Sequence, residues 1–218
     1  MTVSKSYVYE KIKRHRYQIQ MLRRAMKHRR PKTLSKNLCW GVDLTTVTDD
    51  QGRQHQILAM IDYGTRRCLC LQAINDKRPI TLLKYLIQAC FRFGKPKSIK
   101  TDNEAVFTSA LFESGLRLLS IRHQKSEIAC PWQNGRVERF IGTFKASVKQ
   151  LQIVSFEQLT IALPEFQFYY NIIRPHQYLD GRTPDEVWRG IDVFRQRPKR
   201  LYRFEAWDGL LTGEYLVY

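Results

Sequence analysis

No apolar run in the 218 residues approaches the ~18 that a membrane-spanning helix requires, so the chain is not expected to cross a bilayer. The basic N-terminus has no apolar stretch behind it, and no signal peptide is expected. Cysteine is scarce and odd in number: Cys39, Cys68, Cys70, Cys90 and Cys130 show no C-x-x-C spacing and mostly fall inside apolar runs. They read as buried thiols of a reducing compartment, which excludes a disulfide frame or a cysteine zinc site. Internal repeats and low-complexity tracts are absent too. With 43% hydrophobic and 12% aromatic residues the chain can bury a sizeable core, which excludes wholesale disorder. Acids are heavily outnumbered by bases. Twenty Asp and Glu against 37 Lys and Arg leave +17, which implies a polyanionic partner; with no membrane segment, nucleic acid is favoured.

The excess charge is concentrated. Residues 1–36 hold twelve Lys and Arg and a single acid, Glu10, and so carry +11 of the +17. This arm has no glycine and only Pro31, so a helix to about residue 30 is expected. Val8, Ile12, His15, Ile19, Leu22 and Met26 line one face of it. Arg23, Arg24, Arg29 and Arg30 belong to its densest basic cluster and are candidate DNA contacts.

From Asn37 the texture is that of a compact α/β domain. Segments 38–47, 56–63 and 67–74 read as strands joined by short turns, hence an antiparallel meander. A helix opens at Pro79 and stops at Gly94, a strand follows at 98–101, then a helix over 109–119 and a strand at 121–124. Pro131 is expected to start a long helix with Val137, Ile141, Phe144, Val148 and Leu151 as its core stripe. Ser155 to Gln158 has capping-box form for another helix running to Asn171, with a break or kink at Pro164. A second capping box, at Thr183 to Glu186, heads a short helix. An Asp208-Gly209 turn in the basic tail, residues 191–218, suggests a hairpin. The order β-β-β-α-β-α-β-α fits an α/β fold with a mixed sheet and helices on both faces. Three parts are expected: arm 1–36, core 37–190 and tail 191–218.

Three acids sit where surface acids rarely sit. Asp43 lies mid-strand, on the face opposite Trp40, Val42 and Leu44. Asp102 ends the 98–101 strand at its carboxyl end, where open α/β sheets place their ligands. Glu138 lies in the Pro131 helix, just off the apolar stripe and leaning toward the core. Carboxylates from a strand, a strand end and a helix can converge on two hard divalent cations and support in-line displacement at phosphorus. If they do, their mutual repulsion raises at least one pKa. Lys145, Lys149, Arg136 and Arg139 flank Glu138 on one helix and suit phosphate contact, with Asn134 nearby. Other acids have blander roles: Asp49 and Asp50 belong to a turn, Asp62 ends a strand and Glu127 lies in a loop. His123 and His176 either touch DNA or pack.

In this order the motifs resemble the DDE integrases and transposases, the group of retroviral integrases and many bacterial insertion-sequence transposases. Residues 40–45 (WGVDLT) are similar to the family's first motif and 101–103 (TDN) to its second. Residues 131–140 (PWQNGRVERF) with Lys145 are similar to its third, and 35 residues separate Asp102 from Glu138, the family's gap. Tyr170-Asn171, Arg174-Pro175-His176, Leu179 and Thr183-Pro184 are similar to the C-terminal flank of insertion-sequence enzymes.

The resemblance implies an RNase H-like fold, with a five-stranded mixed sheet between a basic helical arm and a small β-rich tail. It also implies Asp43, Asp102 and Glu138 as a catalytic, metal-binding triad for two Mg²⁺ ions, with Mn²⁺ able to substitute. The implied activity is a polynucleotidyl transferase that cleaves the 3′ ends of a mobile element and joins them to target DNA. Homo-oligomers on DNA, an additional end-recognition subunit and a bacterial cytoplasmic or nucleoid location go with it. An RNase H-like nuclease or resolvase, or an inactive DNA-binding regulator, is the alternative. Two departures stand out. Glu104 occupies the position two after the second Asp where the family usually has glycine, and the paired cysteines of the retroviral zinc module are missing.

Overall fold

A computed structural model describes residues 4–18, 34–126, 134–193 and 195–218. The chain forms two compact units, Met1–Thr33 and Leu34–Tyr218. In the first, helix α1 (Lys5–Arg14) is capped by Ser4, whose hydroxyl accepts from the Tyr7 amide at 3.3 Å. Lys11, Lys13 and Arg14 crowd its last turn, where cations suit the helix dipole. Val8 and Ile12 are exposed and no residue of α1 is buried, while Ile19, Leu22 and Met26 of the expected stripe lie outside the described residues. A turn at His15 interrupts the expected continuous helix, and Arg23, Arg24, Arg29 and Arg30 lie outside the described residues.

The second unit is built on strands β1 (Cys39–Thr48), β2 (Gln54–Asp62), β3 (Cys68–Ile74), β4 (Ser98–Thr101) and β5 (Arg122–Lys125). They form one sheet in the order β3-β2-β1-β4-β5. β1–β2 and β2–β3 pair antiparallel, while β1–β4 and β4–β5 pair parallel. The meander and the crossovers are those expected from the turn chemistry, and each strand lies within two residues of its expected bounds.

Side-chain alternation along β1 separates two cores. Trp40, Val42, Leu58 and Met60 pack under helices α2 (Pro79–Phe93) and α4 (Ala110–Leu118), which supply Leu82, Leu83, Leu86, Phe112 and Leu116. The short helix α3 (Ala105–Thr108) adds Phe107 to this layer. On the other face Cys39, Ile57, Ala59 and Ile61 meet α5 (Gly135–Val148) and α6 (Phe156–Phe168). Phe140, Phe144, Phe166 and Tyr170 interlock there, with ring centroids 4.8 Å apart for Phe140–Tyr170 and 5.2 Å for Phe144–Phe166. Each such ring, fully buried, stabilises the fold by about 1.5–3 kcal/mol.

α6 begins as expected, with Ser155 accepting from the Gln158 amide; the Gln158 side chain accepts in turn from Val154, one residue further out than a standard box. It does not break at Pro164. The helix runs through that residue, held by buried Leu159, Leu163 and Phe166, and widens into a π-helical turn only at Tyr169–Ile173. Buried Asn171 then grips edge strand β3, accepting from the Cys68 amide and donating to its carbonyl. Helix α7 (Pro184–Arg189) carries the full Thr183–Glu186 capping box, and its Asp185 pairs with Arg67. The tail folds into a hairpin of β6 (Arg200–Ala206) and β7 (Leu211–Val217). It packs on the core through Trp207, stacked on Phe166 at 5.9 Å, and through Leu211. Cys39, Cys68, Cys70 and Cys90 are free thiols; Cys130 lies outside the described residues. Among the described residues no helix is long and apolar enough to cross a membrane.

One close approach sets where α5 begins. A Cβ at Gly41 would fall inside the ring of Tyr63, so only glycine lets that ring lie against β1. The Tyr63 hydroxyl donates to Asn134 Oδ1 at 2.8 Å, and Asn134 is the N-cap residue of α5. Both residues are buried. Tyr63→Phe should therefore leave a buried acceptor unpaired and cost about 1–3 kcal/mol, read as a lower midpoint in denaturant unfolding.

Candidate active site

Asp43 lies on β1, on the face that carries Cys39 and Val47 and meets α5, as alternation requires. Gly41 pairs with Lys100 across β1–β4, so continuing the parallel register brings 43 level with 102. Asp102 directly follows β4, on a turn bolted to the end of β5. Asn103 Nδ2 donates to the Ser126 carbonyl at 2.8 Å, and the Ser126 amide and hydroxyl both donate to the Thr101 carbonyl. The Thr101 hydroxyl donates to the Asp102 carbonyl, so the His123 Nε2 it meets at 3.0 Å must be the protonated nitrogen of the ring. His123 is thus a positioning residue, packed edge-on against Phe112.

Glu138 sits in the first turn of α5 and is exposed. The expected start at Pro131 and the loop acid Glu127 lie outside the described residues. Glu138 was expected to lean toward the core; instead Val137, Phe140 and Ile141 fill the buried face and leave it at the rim. Glu104 does not crowd its turn: it precedes α3 with ordinary backbone angles, and its carboxylate meets Lys77 Nζ at 3.0 Å.

The field at Asp43 ties these acids together. Its pKa is raised to about 7, by burial first and then by the charge of Asp102, with Glu138 and Glu104 adding to the rise. A hydrogen bond from the Leu44 amide to Oδ1 opposes the shift and leaves Oδ2 free. Asp102 likewise spends Oδ1 on the Glu104 amide at 3.1 Å. Among the described residues no three carboxylate, imidazole or thiol groups stand close enough to hold an ion between them. The donor set nevertheless fits hard divalent cations: it is all oxygen, and each Asp has one carboxylate oxygen turned away from its backbone bond.

The basic residues divide. Lys145 and Lys149 are exposed beyond Glu138, and Arg139 is exposed with its guanidinium 5.2 Å over the Tyr178 ring. Arg136 is half-buried, donating to the Tyr63 carbonyl at 2.7 Å and stacking on the same ring. Asn134 is buried with its oxygen taken by Tyr63, so the side chain expected on DNA faces inward and serves the helix start. His176 packs edge-on against Tyr170 at 4.7 Å. Sequence reasoning missed Tyr63 altogether. Its only signal is an aromatic residue after Asp62, and the glycine that admits it lies on another strand.

Sequence patterns described as integrase core domain match residues 33–131 and 119–184, which together run through the whole sheet and the helices α5 and α6. The 39.2 kDa protein of insertion element IS476 from Xanthomonas euvesicatoria is 29% identical over 150 residues, 68% of this chain and 43% of that protein. The transposase of insertion sequence IS904 from Lactococcus lactis is 24% identical over 161 residues, 71% of this chain and 62% of the transposase. The chain belongs to the DDE integrase and transposase family. It spans less than two thirds of either relative's length.

Among solved structures, the HTLV-2 integrase catalytic core domain, in complex with magnesium, superposes with a TM-score of 0.58 at 19% identity, covering 72% of this chain and 99% of that domain. A chain of the simian T-cell lymphotropic virus intasome, solved in complex with PP2A regulatory subunit B56 gamma, superposes with a TM-score of 0.64 at 18% identity, covering 86% of this chain and 69% of that chain. The fold of this integrase-family chain is RNase H-like.

The raised Asp43 value has a consequence for stability. Between the unfolded carboxyl value near 4 and about 7, the folded protein holds a proton that the unfolded chain has released, so stability falls as pH rises through that window. Asp43→Asn removes the burden. In chelator the variant should exceed wild type by on the order of 1 kcal/mol at pH 8 and match it near pH 4, by melting curves across pH. An equal gain at both pH values would contradict a charged origin.

Proposed function

We propose that this chain is the catalytic core of a DNA transposase or integrase that cleaves the 3′ ends of a mobile element and joins them to target DNA. The observation that carries the proposal is the electrostatic convergence on Asp43 of Asp102 and Glu138, drawn from β4 and α5, with no cation among the causes. Such an array has little structural value and wants positive charge. Mg²⁺ or Mn²⁺, when bound as a pair, would activate the attacking oxygen and stabilise the leaving oxygen of a displacement at phosphorus.

The chain's own residues supply the frame. Asp43 on β1 and Asp102 just beyond the parallel strand β4 present carboxylate oxygens, and Glu138, exposed on the first turn of α5, adds its charge to the same field. Lys145, Lys149 and Arg139 continue outward from Glu138 and offer charge to flanking phosphates. In the first step water attacks phosphorus and displaces the element's 3′ oxygen, which leaves as a 3′-hydroxyl; in the second that hydroxyl attacks target phosphorus and displaces the target strand's own 3′ oxygen. Each step exchanges one P–O bond for another, so no serine or tyrosine nucleophile is required. The arm adds sequence-independent affinity for DNA. Joining two element ends needs two such acid sets, which calls for a homo-oligomer on DNA. The magnesium complex of the HTLV-2 core and the intasome assembly of the simian virus protein support the same reading.

Glu138→Gln should reduce metal-dependent nicking and joining of a pre-cut end by more than the ~100-fold that even outer-sphere changes at metal sites can cost. DNA affinity in chelator should be unchanged. Wild-type turnover in this variant would remove Glu138 from the site, and cleavage without joining in the wild type would make the protein a nuclease.

A further inference from the structure

A cleft of about 600 Å³ opens among the described residues on the same face of the sheet as Asp43. Its floor follows the β1–β4–β5 register. Cys39, Ser98 and Arg122 form one rank, and Gly41, Lys100 and Gln124 form the next. The third rank in that count holds Asp43 and Asp102. Ranks two residues apart lie about 7 Å from one another along a strand, so cationic side chains root at about 7 and about 13 Å from the acids.

The lining is of one sign. Lys97, Lys100, Arg122 and Arg136 contribute four cations, and no Asp or Glu lines the cleft. Among the described residues none of the four belongs to an ion pair, although nine such pairs occur elsewhere on the same chain. Arg136 is fixed by its bond to the Tyr63 carbonyl, so part of this charge is held in place before any ligand arrives. Confining like charges in a walled cleft costs free energy that an anion would recover, and a one-signed groove concentrates its counter-ions. Asp43 and Asp102, one rank beyond the lining, repel the same anion, so a polyanion that reaches them needs the cations of the cleft.

We propose that this cleft seats the phosphodiester backbone of the single DNA strand that leads into Asp43 and Asp102. The inference rests on the strand-transfer reading above and deepens it, since it assigns Lys97, Lys100 and Arg122, none of them within the three family motifs, as the residues that steer the reacting strand. Gln124 and Ser98 offer neutral hydrogen bonds between the cations. Sequence-independent single-strand sites are tracks of this kind.

The test uses the full chain in chelator with a fluorescently labelled single-stranded oligonucleotide of mixed sequence, followed by anisotropy between 50 and 200 mM salt. Lys100→Gln combined with Arg122→Gln should lower the log–log salt slope by about 1.4, at roughly 0.7 per lost phosphate contact on single strands. Over that fourfold salt range the variant then loses about 7-fold less affinity than wild type. Lys84→Gln with Arg92→Gln, on exposed positions of α2 under the opposite face, should leave the slope unchanged. If the Lys100 variant folds poorly, Lys97→Gln with Arg122→Gln, both exposed, makes the same measurement. A wild-type slope in the cleft variants overturns the proposal even if the wild type joins DNA ends. A reduced slope in a protein without metal-dependent cleavage would keep the cleft as a strand-binding site and remove the catalytic reading instead.

Discussion

The ring of Tyr63 fills the space that Gly41 leaves on β1, and the position of α5 follows from that seat. Its hydroxyl holds Asn134, the residue that begins the helix, and its carbonyl holds Arg136 in the first turn. Glu138 is four residues beyond Asn134, and its amide donates to the Asn134 carbonyl at 3.3 Å. A strand glycine, a tyrosine after the next strand and a helix N-cap thus set the distance between an acid on the sheet and an acid on a helix. The aromatic layer of Phe140, Phe144 and Phe166 fixes the rest of α5 against the sheet. Packing makes the frame; a single clasp sets its register.

The charges then follow from geometry. Parallel pairing of β1 and β4 brings two carboxylates to the same level of the sheet, where burial and repulsion raise the Asp43 pKa to about 7, so that its carboxyl is only about half ionised at pH 7. Glu104 adds to that field where the family usually places glycine, and Lys77 tethers it. A surface pair of this exposure contributes little to stability, about 1 kcal/mol at most, so its consequence is electrostatic. The acids lie one rank beyond a cleft whose charged lining is all cationic; on the proposed reading divalent cations would balance the first and a phosphate strand the second.

Much of this was legible in the chain. The strand pattern of residues 38–47 and the turn at Asp49-Asp50 mark β1 and β2 to within two residues, and alternation alone places Asp43 opposite Trp40. The capping residues Ser155 and Thr183 mark helix starts to the residue. What stayed hidden was long-range. Tyr63 and Asn134 are 71 residues apart, and no local spacing announces their bond. Pro164 reads as a helix breaker because propensity is local, whereas three buried neighbours keep the helix intact. Asn134 and Arg136 look like surface polar residues in a motif that favours DNA, yet both turn toward Tyr63. In the motif Tyr170-Asn171 the asparagine has a structural part: its amide bonds the backbone N–H and C=O of Cys68 on edge strand β3.

If Asp43, Asp102 and Glu138 hold divalent cations, as proposed, the ions are visible by diffraction at a wavelength where manganese scatters anomalously, from crystals grown with Mn²⁺. Anomalous density is expected beside the Oδ2 atoms of Asp43 and Asp102, with Glu138 turned toward it, and that density should vanish in Asp102→Asn. Manganese bound elsewhere on the chain with none at these acids, or density unchanged in Asp102→Asn, would contradict the proposal.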